Sequence, residues 1–468
     1  MVQFLNSVAT GFVTVGLPRM SKDLNLSEAL LLWPQSVYGL TCGSCLLLAG
    51  SVADVIGSRL VCLTGILLNG IFIAACGLPR TGIQLIMFRA MGGIAISLAL
   101  PTSMSILSTA IPTGKRRNVA FSCLGLGQVL GFSLGLVLAG VFLDTVGWRA
   151  GFYLAGAVTI AVFFIALWAL PMDKRSNSPI LGRLRAEIDW VGAGMASTCL
   201  ALLSYVLAMI TSDVANMRQA SNIVILSVSL ALVPAFIFWM ARREGLQKPV
   251  LIPNSLWKNR AFTCVCLMML LVYAEMQTME LFASLFFQQV QELSALQASL
   301  RILPSLAVGA VLELSTGFLV HQFPVLHLVL ISTALSVGAP LLMAVINPNW
   351  PYWYDAFPAQ LLMPFSVDVL FTVGILIVSD VFPDKTQGLA GAVFNTVGQF
   401  GISIGLAVMG IISNAVTRNS NYVDKTTPQA LEEGYRATFW AAFASMVLAC
   451  GIGAYGFRKI GKVGVKRD

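Results

Sequence analysis

The chain has 468 residues, of which 57% are hydrophobic and only 11% are charged. Soluble domains carry about 25% charged residues, so this composition excludes an ordinary soluble protein and predicts that lipid surrounds most of the chain. The formal net charge of +8 would suggest nucleic-acid binding in a soluble protein. Here the basic residues bracket apolar runs, which favours a role in membrane orientation and argues against a nucleic-acid partner.

A transmembrane helix needs about 20 mostly apolar residues. This length predicts 14 spans, which in chain order lie near 2–18, 32–52, 60–78, 83–108, 118–143, 150–171, 189–210, 221–241, 261–289, 300–320, 325–346, 355–380, 388–413 and 436–457. The N-terminus has neither the basic region nor the cleavage site of a signal peptide, and Met1 lies almost at the membrane edge. No loop is long enough to fold alone, so any chemistry is expected between helices.

The loops that follow even-numbered spans, together with the C-terminal tail, carry most of the lysine and arginine residues. Lys115–Arg117, Lys174–Arg175 and Arg242–Arg243 supply most of this bias. The positive-inside rule therefore predicts that both termini and the even-numbered loops are cytoplasmic.

Two spans contain the same ladder of small residues. Residues 131–140 in span 5 read GFSLGLVLAG, and residues 401–410 in span 13 read GISIGLAVMG. A second echo links GSVAD at 50–54, where span 2 ends, with GFLVH at 317–321, where span 10 ends. Both pairs are eight spans apart, and an even offset means that the copies point the same way, which indicates a parallel repeat.

The repeat predicts an all-α integral membrane protein made of two six-helix bundles and two inserted helices. We expect an N-terminal bundle over 1–171, linkers and the inserted helices over 172–260, and a C-terminal bundle with a short tail over 261–468. Transporters of the major facilitator type have such parallel halves around a central site.

Short motifs carry a resemblance to this superfamily. The stretch GSVADVIGSR, with Gly50, Asp54, Gly57 and Arg59, resembles its GxLaDrxGrk loop between spans 2 and 3. Arg89 opens RAMGG, which resembles the RxxxG motif of span 4. The resemblance implies that Asp54 and Arg59 make charge contacts across the interface of the halves and hold the cytoplasmic side closed, with His321 breaking the symmetry in the other half. An ordinary solvated turn is the alternative.

Two further motifs resemble the 14-span drug:proton antiporters, especially fungal ones. Gly127, Gly131 and Gly135 resemble the antiporter motif gxxxGPxxGG, and GWR at 147–149 with the following Phe-Tyr pair is similar to the GWRW-FY entry to span 6. The resemblance implies that the glycine ladder packs the halves together, whereas simple helix packing is the alternative. The departures from the family pattern are Ala9, Ser58, Phe132 and Leu136.

Charged residues inside spans are costly, at about 2.5–3.5 kcal/mol each on insertion scales, and they mark function. They are Arg89 in span 4, Glu275 and Glu280 in span 9, Glu313 in span 10, and Asp368 in span 12. Because burial favours a neutral carboxyl group, such residues can carry protons, and we expect this first of Glu280 or Glu275, then of Asp368 and Glu313. By resemblance, Arg89 would tune or gate them.

Span 9 also carries one polar stripe at helical spacing, formed by Gln277, Glu280, Ser284 and Gln288, which could alternatively only bond neighbouring helices. A pocket that mixes aromatic rings and amides suits a bulky, mostly apolar molecule. The side chains predicted to line it are Gln35, Tyr38, Gln128, Tyr273, Gln277, Asn395 and Gln399. For each of them, hydrogen bonding between helices is the alternative.

These features predict a proton-coupled exporter of amphipathic small molecules such as drugs, toxins or secondary metabolites. We expect small-molecule substrate, protons and lipid as partners, function as a monomer, no cofactor beyond the proton gradient, and the plasma membrane as location, with the vacuolar membrane as an alternative. Uptake or vacuolar transport of a defined solute, such as a basic amino acid or siderophore, and a non-transporting sensor remain open. With only two histidines and scattered cysteines, no metal centre or enzyme is expected.

Overall fold

The structure, a computed structural model, describes residues 1–26, 30–110, 115–172, 180–212, 218–320, 322–382, 384–458 and 461. Within these ranges the chain is helical. The first six helices are α1 (Val2–Asp23), α2 (Trp33–Ile56), α3 (Ser58–Ala75), α4 (Gly82–Ala110), α5 (Lys115–Thr145) and α6 (Trp148–Ala169). Then come α7 (Ile180–Glu187), α8 (Trp190–Ser212) and α9 (Ala220–Gly245). The last seven are α10 (Arg260–Leu285), α11 (Ala295–Leu319), α12 (Val325–Val345), α13 (Ala356–Leu362), α14 (Pro364–Val381), α15 (Asp384–Asn419) and α16 (Pro428–Gly456).

The prediction of an all-helical membrane protein is confirmed. Among the described residues, 13 segments are long and apolar enough to cross a membrane. The helix α1, with 22 residues, accounts for the remaining one of the 14 predicted spans and packs against α5.

Three local features differ from the predicted spans. Span 12 is divided into α13 and α14 at Met363, because Pro364 has no N–H to continue a helix and instead occupies the first position of α14. Span 9 ends in a π-helical turn, Phe286–Val290. The predicted linker contains the short α7, whose Arg183 donates a hydrogen bond of 3.3 Å to the carbonyl oxygen of Val55 at the end of α2.

Helix contacts in the first six helices recur in the last seven. The pairs α1–α5, α2–α4 and α3–α6 have the counterparts α10–α15, α11–α14 and α12–α16. Two further contacts join the halves in an equivalent way, α5 with α11 and α15 with α2. This pairing supports a parallel repeat, while the boundaries at 171 and 260 stay predictions.

The repeated glycine ladder lies at equivalent helix contacts. A Cβ atom added to Gly135 would lie 2.8 Å from the Cα atom of Val8 in α1. A Cβ atom added to Gly405 would lie 2.7 Å from the Cα atom of Ala274 in α10. Each ladder therefore lets two helices of the same half approach to backbone contact, which explains why the small residues occur twice.

The inserted helices pack on each other, and α8 also contacts α2 and α15. Asp189, which is buried, accepts hydrogen bonds from the Gly192 amide at 3.0 Å and from the Trp239 indole at 3.2 Å. Its carboxylate also lies 3.5 Å from the guanidinium of Arg243. This carboxylate therefore caps α8 and anchors α9 to it.

Candidate functional site

The polar stripe of α10 faces the other half. Ser284 donates to the carbonyl oxygen of Thr14 at 3.2 Å, and Gln288 donates to that of Val15 at 3.0 Å. On the same stripe, Gln277 donates to the Glu280 carboxylate at 3.3 Å, and the Glu280 side chain is 5% exposed. The side chains predicted as one stripe thus lie in order along the contact between α10 and α1.

Glu275 lies on a different face of α10. Five residues in an α-helix turn the direction by about 140°, so Glu275 and Glu280 point to different neighbours. The face of Glu275 is shared by Met268, against which Gly453 of α16 packs, and by Phe282, whose ring lies 5.6 Å from that of Tyr435. Glu275 is 0% exposed, and both of its carboxyl oxygens lack a hydrogen-bond partner. It therefore belongs to the α10–α16 contact.

Three acidic side chains of the C-terminal half form a cluster. Asp368 in α14 lies close enough to Glu313 and Glu280 for their charges to interact. A Cβ atom on Gly309 would lie 3.0 Å from Asp368 Oδ2, so this glycine makes room for the carboxylate on α11. The ring of Tyr273 is close enough to interact with the charges of Asp368 and Glu313.

Glu313 reaches towards the other half. A Cβ atom on Gly125 in α5 would lie 3.1 Å from the carboxyl carbon of Glu313. The acidic cluster therefore extends from α10 and α14 to the α5–α11 contact between the halves. We call Glu280, Glu313 and Asp368 the acidic cluster below.

Arg89 lies in the N-terminal half and is 3% exposed. Its Nε atom donates to the carbonyl oxygen of Pro34 at 3.0 Å, and its guanidinium carbon lies 4.1 Å from the ring centre of Tyr38. Tyr38 in turn donates to the side chain of Asn6. Its charge interacts with Tyr38 and Cys76, so the expected tuning of the acidic cluster by Arg89 stays a prediction.

Asn6 was not among the sequence-predicted site residues. The signal that could have indicated it is an amide in a short first span that lacks a charged residue. The amide contacts Tyr38 only because α1 and α2 are neighbours in space.

The predicted pocket residues lie in different surroundings. Gln35 is 3% exposed, and its Oε1 atom has no partner. Asn395 donates to the carbonyl oxygen of Gly391 at 2.9 Å, within its own helix. Gln399 lies at the α2–α15 contact, where its Cβ atom would be 3.1 Å from a Cβ atom on Gly43. Gln128, by contrast, is exposed. Their role in substrate binding stays a prediction.

The motif between α2 and α3 forms a sharp turn. Gly57 has a φ of 120°, which favours glycine, whereas a Cβ atom on Gly50 would only touch Pro101 at 3.9 Å. Asp54 is exposed, and Arg59 donates to the carbonyl oxygen of Leu167 in α6 at 2.6 Å. This bond lies within the N-terminal half, so the expected latch across the halves stays a prediction. His321 lies outside the described residues.

The first glycine ladder packs within the N-terminal half. Gly131 meets the backbone of Phe4 and Gly135 that of Val8, whereas Gly127 has nothing within 4 Å of its added Cβ atom. Contact with the other half comes further along α5, where a Cβ atom on Gly140 would lie 2.6 Å from the Cα atom of Leu296. At the positions that depart from the family motif, Phe132 and Leu136 are buried.

The halves meet at the end of the molecule that the sequence predicts to face outwards. Ser299 near the start of α11 donates to the carbonyl oxygen of Leu136 at 2.8 Å. Ser36 near the start of α2 donates to that of Ser403 at 3.1 Å. Together with the bonds of Ser284 and Gln288, these contacts join the halves on both sides of the α1–α10 contact.

Two repeated helical halves with buried ionisable groups between them define a multi-pass membrane transporter rather than an enzyme. The chain matches the Major Facilitator Superfamily over residues 1–406. It belongs to that superfamily, as the motif resemblance predicted.

Individual relatives agree with this assignment. The chain is 39% identical to MFS-type transporter 1 of Pyricularia oryzae, with 99% of this chain and 83% of that protein covered. It is 25% identical to the major facilitator superfamily multidrug transporter mdr3 of Aspergillus fumigatus, over 91% of this chain and 72% of that protein. A bacterial homolog of the human lysosomal transporter Spinster, solved in an inward-facing and occupied conformation, has a similar fold, with a TM-score of 0.66 and 16% identity over 98% of this chain and 95% of that one.

Proposed function

We propose that this transporter is a proton-coupled exporter of amphipathic small molecules that works by alternating access. The observation that carries the proposal is the acidic cluster: Glu280, Glu313 and Asp368 interact through their charges, and Asp368 Oδ2 has no hydrogen-bond partner. Buried acidic groups without basic partners are expensive in a membrane, and proton exchange is the usual reason for keeping them.

The arrangement of contacts supports alternating access. Bonds between the halves near the predicted outer end, such as Ser299 with Leu136 and Ser36 with Ser403, close that end. Reversal requires that these bonds break while others form at the opposite end, which is a two-state equilibrium that a ligand or a proton can shift. Glu280 lies on the stripe that these movements would separate from α1, so its access to water would change between states.

The acidic cluster has a defined part in the proposed cycle. In the state open to the side of higher proton concentration, the carboxyl groups take up protons, and in the opposite state they release them. Repulsion between neighbouring carboxylates makes simultaneous ionisation unfavourable, so the cluster holds at least one proton while it is closed to water. Inward movement of each charge along a membrane potential would supply about 2.3 kcal/mol per 100 mV.

Export rather than uptake is favoured by the multidrug transporter among the relatives. We propose the plasma membrane as the location, with both termini cytoplasmic. The transporter has two halves around one site and is proposed to function as a monomer without a cofactor.

Proteoliposomes test this proposal. The purified protein is reconstituted, a pH gradient is imposed, and movement of apolar fluorescent dyes and of protons is recorded in both directions. We expect dye to move against its gradient when protons flow the other way, and movement to stop when the proton gradient is collapsed.

The variant Glu280→Gln tests the coupling residue. We expect it to lose proton-driven transport while it still binds dye and exchanges it down a gradient, because the amide keeps the shape of the side chain but cannot carry a proton. The matched control is Glu433→Gln, which changes an exposed carboxylate at the start of α16 and should transport normally. Full proton-driven transport by the Glu280 variant would remove this residue from the mechanism, and no movement of any solute by the natural protein would favour a sensor.

A further inference from the structure

Arg89 is a buried cation without a buried anion beside it. It is 3% exposed, and the groups whose charges interact with it in the described part of the chain are the Tyr38 phenol and the Cys76 thiol. Phenol and thiol groups are ordinarily neutral at pH 7, so neither compensates a full positive charge. An uncompensated buried charge is strongly unfavourable, which leaves the guanidinium in need of an anion that the described residues do not supply.

The hydrogen bonds around Arg89 leave donors available. Its Nε atom is used by the Pro34 carbonyl oxygen, but its Nη2 atom is buried without a partner. Asn6 uses its side-chain oxygen to accept from Tyr38, so its amide nitrogen remains a donor. Guanidinium and amide donors together match the oxygens of a carboxylate, sulfonate or phosphate.

The position of these donors suits a transported molecule. They come from α1, α2 and α4, and α2 also meets the other half, where Ser36 bonds to α15. The acidic cluster lies in α10, α11 and α14, and none of its members has a charge interaction with Arg89. The cation and the acids are thus kept apart in opposite halves instead of pairing with each other.

We propose that Arg89 and Asn6, with Tyr38 holding both side chains in place, bind the acidic group of an amphipathic substrate. The adjacent Gln35, whose buried Oε1 atom has no partner, would accept a hydroxyl or amide hydrogen of the same molecule. That the ligand is a transported substrate rests on the proposed function. The preferred substrates are then organic acids rather than cations or neutral amphiphiles.

The test compares matched acids and amides. The protein in phosphatidylcholine nanodiscs is titrated with 1-naphthoate and 1-naphthamide, and with 1-naphthalenesulfonate and its sulfonamide. Thermal unfolding with a thiol-reactive dye reports binding, because buried cysteines such as Cys42 and Cys266 become reactive on unfolding. We expect each acid to bind about 10- to 100-fold more tightly than its amide, the range of a charge-assisted pair.

Variants assign that preference to the site. Arg89→Gln should remove it, Arg89→Lys should keep part of it, and Arg19→Gln should leave it unchanged, because the Arg19 side chain is 68% exposed. Should Arg89→Gln fail to fold, Asn6→Asp provides a second test. This change places a carboxylate beside the guanidinium and should reduce acid binding by the same factor.

Several outcomes would overturn the proposal. They are equal binding of acid and amide by the natural protein, an unchanged acid preference in the Arg89→Gln or Asn6→Asp variant, and loss of that preference when phosphatidylglycerol is added to the discs, which would assign the site to a lipid headgroup. No proton gradient is present in this assay. Acid binding without transport would therefore contradict only the proposed function, and transport without acid preference would contradict only this site.

Discussion

The close approach of α1 and α5 makes Gly135 a precise test of the fold. In Gly135→Ala, the new methyl group would lie 2.8 Å from the Cα atom and 3.0 Å from the carbonyl carbon of Val8. These neighbours are backbone atoms, so no side chain can rotate away. To restore normal contact, α1 has to move by about 1 Å, since carbon atoms pack at about 3.5–4.0 Å.

The cost can be estimated against a matched glycine in the same helix. Gly127→Ala places its methyl group where nothing lies within 4 Å. Both substitutions gain the same helix propensity, about 1 kcal/mol, so their difference isolates the contact. Overpacking of this kind costs about 1–3 kcal/mol. At about 2–4 °C per kcal/mol for a domain of this size, Gly135→Ala should melt about 2–12 °C below Gly127→Ala.

The assay is thermal unfolding of both variants in the same detergent at the same scan rate, since membrane proteins unfold irreversibly and the apparent midpoint depends on rate. The second half offers the same comparison, because Gly405 meets α10 whereas Gly391 has nothing within 4 Å. If Gly135→Ala and Gly127→Ala melt together, the ladder does not set the distance between α1 and α5, and the physical explanation of the repeat fails.

Two further predictions concern the inserted helices and the predicted outer end. Asp189→Ala removes the cap of α8 and the partner of Arg243, and should lower stability by about 1–3 kcal/mol, seen as a lower melting temperature; an unchanged midpoint would mean that α8 and α9 do not depend on this carboxylate. Replacing Ser284 and Gln288 together with alanine removes two bonds from α10 to α1 and should shift the population towards a state open at that end. Spin labels at exposed Val146 and Trp350, in a background without native cysteines, should report longer distances. Ser445→Ala is the control, because its hydroxyl bonds only within α16, and equal distances in the two variants would contradict this role.

Much of the candidate site could be named from the sequence but not arranged by it. The polar stripe from Gln277 to Gln288 was predicted from helical spacing, because side chains three and four residues apart must lie on one face. The same reasoning cannot assign a face to a partner. Glu275 and Glu280 look equivalent in the sequence, yet one packs against α16 and the other faces the opposite half.

The sequence by itself determined the number of spans, the parallel repeat and the membership of the superfamily, because the bilayer fixes the length of an apolar helix and because duplication leaves small residues at fixed intervals. Only the tertiary structure decided that Arg89 lies on Tyr38 away from the acids, that Gly127 packs against nothing while Gly135 touches α1, and that Gln128 is exposed. These facts depend on how helices far apart in the chain rotate and cross, and local periodicity carries no information on that angle.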